Sequence, residues 1–201
     1  MFKKLILSYR AAIERDLNVV VVRMVFDRDV LSDLEVLILL LEDRRFFRHS
    51  GIDFWAIARE LFKMSTAQRY GGASTIDMQF VRTRTGFKDR TIRRKVYEMI
   101  LAYYLQGRME KWEILRAYLR EMYLGVHLRG VERASNELFC KCTELLSRSE
   151  AAFLAAMMVY PLPETPSIRW RKMVERRAKY GLRLYEKHGH KYRGRIEGRL
   201  G

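Results

Sequence analysis

The sequence predicts an all-α fold, and three observations carry that prediction. Only 3 prolines and 12 glycines occur in 201 residues, and leucine and methionine are plentiful, a composition that favours helix. Apolar residues recur at helical spacing in segment after segment. Cap signals stand where those segments begin: Ser32 with Glu35 and Ser147 with Glu150 have the spacing of a capping box, in which side chain and backbone satisfy each other's free groups. The apolar fraction of 49% suffices for a sizeable core.

The elements follow in order. "MFKKLILSYRAAIERD" begins like a signal peptide, but its apolar stretch is short and broken by charge. "VVVVRMVF", Val19 to Phe26, reads as a strand or as the buried start of a helix, and periodicity does not separate the two. Ser32 opens a helix whose "VLILLL" is apolar on nearly every side, so it is expected to be buried all round and to end near Glu42. Asp53 caps the next helix, with Phe54, Ile57, Ala58, Leu61 and Phe62 on one inward face. A short helix follows near Ile76. Thr91 caps a longer one reaching about Leu105, with Val96, Met99, Ile100 and Tyr103 inward. "KWEILRAYLREMYLG" puts Ile114, Leu115, Tyr118, Leu119 and Met122 on one stripe and Gly125 at its stop. "AAFLAAMMV" forms a helix closed by Pro161, and a basic helix spans Ile168 to about His188. These elements divide the chain into an N-terminal extension (1–30), a main domain (31–167) and a basic C-terminal helix and tail (168–201).

The net charge is +15. Such a surface attracts phosphates, whether of nucleic acid, anionic lipid or a diphosphate substrate. From Arg169 to Gly201 there are 12 Lys/Arg against 3 Asp/Glu, which reads as a solvated basic arm. No zinc finger, RNA-recognition signature or interleaving of basic and aromatic residues accompanies the charge, so no nucleic-acid partner is expected. Cys140 and Cys142 lack the spacing and the second pair of a metal site. No run of about 18 apolar residues occurs, so no helix is expected to cross a membrane, and contact with one would be peripheral.

Three pieces of sequence bear chemistry. Glu42 and Asp43 end the most apolar helix and precede an aromatic loop. A carboxylate at such a boundary is either a solvated helix end or, partly desolvated, a group able to move a proton. In "GGASTIDMQ", Ser74 and Thr75 stand at a helix start, where free backbone N–H groups bind an oxyanion or simply complete a cap. Arg82, Arg84, Lys88, Arg90, Arg93, Arg94 and Lys95 crowd into 14 positions. Arg94 and Lys95 lie one turn from Glu98, which makes either a surface salt-bridge lattice or a cationic cradle in which Glu98 holds a lysine or a divalent ion.

The ordered series "EDRRFFRHSG", "GGASTIDMQ", "RRKVYE" and "KWEILRAYLREMYLG" resembles the peptidoglycan glycosyltransferases of family 51, over roughly Leu31 to Pro166. That is the polymerase domain of bifunctional penicillin-binding proteins and of monofunctional transglycosylases. The resemblance implies an all-α, lysozyme-like fold. It implies an inverting reaction that polymerises lipid II onto a growing glycan chain and releases undecaprenyl diphosphate. By the same resemblance Glu42 is the general base and Glu98 the second catalytic glutamate. Asp43, Phe46, Ser74, Thr75, Gln79, Arg82, Arg90, Arg94 and Lys95 are substrate-binding positions, and Glu98 is a possible ligand for a divalent metal, Mg or Mn. Phe46 and His49 shape the first motif's loop. The resemblance also implies work at the periplasmic or outer face of the inner membrane, with cell-envelope proteins as possible partners.

The chain departs from the pattern in places. Asp77-Met78-Gln79 stands where Thr-Gln-Gln is usual, Arg82 where lysine is usual, and Arg116 and Arg120 where the fourth motif has glutamate and asparagine. A non-catalytic cell-envelope scaffold is therefore the alternative function, and a lysozyme-like hydrolase, with glutamate as general acid, is a further one.

Overall fold

The computed structural model describes residues 2–21, 30–65, 72–89 and 91–192. Its α-helices are α1 (Phe2–Val20), α2 (Asp33–Glu42), α3 (Phe54–Ser65), α4 (Ile76–Thr85), α5 (Ile92–Leu105), α6 (Lys111–Glu121), α7 (Val131–Phe139), α8 (Arg148–Ala156) and α9 (Ile168–His188). The strands β1 (Tyr123–Gly125) and β2 (Leu128–Arg129) form the one small sheet among the described residues. This is the all-α, lysozyme-like class the sequence predicts. The chain divides into two compact units, one of residues 1–25 and 45–117 and the other of 26–44 and 118–201.

In the first unit α1, α4 and α5 pack on one another. Arg10, Glu14 and Arg15 of α1 are exposed, while Leu17 and Val20 are buried. Val19 and Val20 are therefore the end of a helix, and residues 22–26 of "VVVVRMVF" lie outside the described residues. The Tyr97 hydroxyl of α5 donates to Asp16 at 2.8 Å. Burial, then that carboxylate, pushes the phenol up to about 12. Gly51 sits at φ +82, where a Cβ would stand 2.3 Å from the Ala102 carbonyl oxygen, so only glycine lets this loop lie on the α5 backbone. Asp53 caps α3 as predicted, accepting from Ala56 N at 3.1 Å.

Two predicted faces are corrected here. On α3, Phe54 and Phe62 are 68% and 72% exposed and Trp55 is 73% exposed, while Ala56 is buried. The helical period is real, but it does not say what the apolar face meets. On α5 the inward residues are Glu98, Leu101, Ala102 and Leu105, and Val96 and Tyr103 are exposed. A buried charge rotates the helix away from the face that hydrophobicity alone selects.

In the second unit α2 lies against α8 and α9. Both capping boxes form, at Ser32 with Glu35 and at Ser147 with Glu150. Lys141 also bonds Glu150 at 2.8 Å, and those bonds, the lysine's first, hold the carboxyl down at about 2. Leu34 to Leu40 are buried all round, as expected. The predicted stripe on α6 is buried too, but the helix stops at Glu121 and Gly125 belongs to β1. Gly125 takes φ +146 because its Cβ would be 2.5 Å from Leu162, whose backbone bridges to it. The solvated arm is also corrected: Val174, Ala178, Gly181, Leu184, Tyr185 and Tyr192 are buried, so the chain through Tyr192 is folded. Residues 193–201 lie outside the described residues.

Candidate active site

Glu42 is the last residue of α2. The C-terminal end of a helix carries partial negative charge and favours cations, and α2 has no basic residue in its last turn. The missing cation comes from α9. Arg177 Nη2 donates to Glu42 Oε1 at 2.6 Å and to the Leu41 carbonyl at 3.3 Å. The glutamate side chain is 13% exposed. Asp43 caps the helix with its N–H on Leu39 O and is buried.

Glu98 is fully buried, and a buried carboxylate persists only when paired. Arg82 meets it with two parallel bonds, Nε to Oε1 at 3.0 Å and Nη2 to Oε2 at 2.9 Å. This fork-to-fork geometry is the strongest a carboxylate finds. Arg94, one turn before it on α5, stands 3.4 Å from Oε1 and also donates to Phe87 O. One carboxylate thus faces two guanidiniums. Lys95 is exposed and turned to solvent, and Arg90 lies outside the described residues.

The second motif is built into the same unit as Glu98. Thr75 caps α4, accepting from Met78 N at 3.2 Å and donating to Gly51 O at 2.7 Å, so its buried hydroxyl ties the first motif's loop to the second motif. Ser74 and Gln79 are half-buried beside it. Phe46 is fully buried, edge-on to Phe47 and His49, and it supports the loop from inside.

One group escaped sequence reasoning. Asp77, the departure from Thr-Gln-Gln, is fully buried. It accepts from Lys111 Nζ at 3.0 and 2.8 Å and from Gln106 at 2.7 Å. The same ammonium lies 4.3 Å from the centre of the Phe46 ring, a cation–π contact. An aspartate on the inward face of a short helix was the only signal available.

The molecule is thus a helical protein whose motif positions carry carboxylates and guanidiniums. The transglycosylase family profile matches residues 16–185, and the chain belongs to that family. It is similar to penicillin-binding protein 1A of Clostridium tetani, 36% identical over 144 residues, or 69% of this chain and 18% of that protein. The Haemophilus influenzae protein of the same name is 36% identical over 150 residues, 74% of this chain and 18% of that protein. A provisionally named transglycosylase of Cupriavidus necator is 32% identical over 163 residues, covering 81% of this chain and 70% of that one. The chain thus spans less than a fifth of the length of the penicillin-binding proteins it matches (18%).

Proposed function

We propose that the chain is a peptidoglycan glycosyltransferase that polymerises lipid II and releases undecaprenyl diphosphate. The observation that carries this reading is the pair of guanidiniums, Arg82 and Arg94, gathered at buried Glu98 from motif residues inside the matched span. Glu42 takes the proton of the acceptor's 4-hydroxyl as that oxygen bonds to the donor's anomeric carbon. The bond from that carbon to the diphosphate breaks, its electron pair leaves on the diphosphate, and the carbon inverts. Arg82 and Arg94 are preorganised cations for that developing charge, with exposed Lys95 as an outer one.

Glu98 itself does not fit a divalent metal. Both its oxygens already receive Arg82, and Arg94 adds a second positive charge beside Oε1. No step is therefore routed through Mg or Mn, and the guanidiniums take that part.

No described helix is long and apolar enough to cross a membrane. Exposed Phe54, Trp55 and Phe62 on α3 support a seat in the headgroup layer of the membrane's outer face. Vesicles of anionic phospholipid are expected to blue-shift the Trp55 emission. Replacing Trp55 and Phe62 together with serine is expected to weaken vesicle partitioning at least about tenfold; unchanged partitioning refutes the seat.

The full chain incubated with labelled lipid II in detergent tests the activity. Polymer is the expected product. Binding of lipid II without elongation would establish the scaffold reading instead, and clearing of purified sacculi a hydrolase.

A further inference from the structure

We infer that Arg177 is the positioning residue of the Glu42 base, committing one carboxylate oxygen and leaving the other to take the proton. This rests on the glycosyltransferase reading above. The carboxylate's Oε1 receives Arg177 at 2.6 Å, and among the described residues Oε2 has no partner. A glutamate side chain has three rotatable bonds, and a base acts only from a narrow range of positions. The guanidinium removes that freedom and selects the working oxygen.

The backbone around the pair is fixed for this purpose. Arg177, Tyr180 and Gly181 lie on one face of α9, at the spacing of one turn. Gly181 admits Leu41, whose Cδ1 lies 3.2 Å from where a Cβ would stand. Tyr180 OH accepts from Arg44 Nη2 at 2.7 Å, and Arg44 Nε returns to Leu40 O at 3.0 Å. Tyr192 OH donates to Arg44 O at 2.8 Å. The α2 terminus is thus clamped to α9 on either side of Glu42. Arg177 Nε, meanwhile, is buried without a hydrogen-bond acceptor.

The test measures kcat and KM for lipid II polymerisation, with melting curves, for wild type, Glu42→Gln, Arg177→Ala, Arg177→Gln and Arg177→Lys. For Arg177→Ala a fall in kcat of about 100-fold is expected, as for a reacting group displaced by about 1 Å, with KM within about threefold. Arg177→Gln, which keeps most of the aliphatic stem, should fold and show the same loss. Arg177→Lys should recover at least about a tenth of the wild-type kcat, and added methylguanidine should raise the rate of Arg177→Ala but not that of Glu42→Gln. If wild type polymerises, Glu42→Gln is dead and a folded Arg177 variant keeps kcat within about threefold, the positioning role is overturned and the glycosyltransferase reading stands. If wild type makes no polymer, it is the glycosyltransferase reading that falls; if wild type polymerises and Glu42→Gln makes as much, Glu42 is not the base and the positioning role falls with it.

Discussion

Glu42→Gln is expected to abolish lipid II polymerisation, with a loss of at least about 10³-fold, while the protein remains folded. A general base contributes roughly 10²–10⁴-fold, and here no second carboxylate offers itself at the end of α2: Asp43, the neighbour, is buried at the cap. The fold survives because the amide oxygen of glutamine still accepts from Arg177. What changes is the partner's charge. The bond at 2.6 Å becomes a neutral acceptor's bond, a difference of about 1 kcal/mol for a pair in which both side chains keep some solvent contact. A melting temperature lowered by only a few degrees is therefore expected alongside the lost activity. Full polymer yield from this variant would end the assignment of Glu42 as base.

Local features were legible in the sequence; pairings at a distance were not. Ser32, Asp53, Thr91 and Ser147 were read correctly as caps because a cap is decided within four residues. The burial of α2 was legible because its apolar run leaves no polar face. The inward faces of α3 and α5 were misread because hydrophobicity ranks residues by type and ignores partners. Glu98 is buried only because Arg82, 16 positions earlier, neutralises it. Phe54 and Phe62 are exposed because an apolar helix face need not be covered by its own chain. Arg177 was counted as part of a basic arm, and nothing near it in sequence reveals an acid 135 positions away. The two glutamates themselves were singled out through motif order. Arg94 was also legible as a partner of Glu98 one turn away; the distant counter-charges, Arg82 for Glu98 and Arg177 for Glu42, were not.

The second large effect is expected at Glu98. Glu98→Ala removes the carboxylate that Arg82 and Arg94 share. Breaking a buried pair costs about 3–5 kcal/mol. Arg82 is 37% exposed and can turn partly to water, so a loss of about 2–3 kcal/mol is the better expectation, or roughly 5–10 °C in melting temperature for a chain of this size. Polymerisation should be lost as well, since the cations no longer hold one geometry. Glu98→Gln separates the two effects: shape and one acceptor remain, so most of the stability should return while polymerisation stays impaired. The same variants decide between guanidinium and metal at this position. If Glu98 holds only arginines, millimolar Mg or Mn leaves the wild-type melting temperature unchanged, because no ion binds the folded state there. If it holds a metal, the ion raises that temperature by mass action and the rise disappears in Glu98→Gln. A metal-dependent, Glu98-dependent rise would therefore overturn the reading in which Arg82 and Arg94, with Lys95 as an outer cation, carry the diphosphate's charge without a metal.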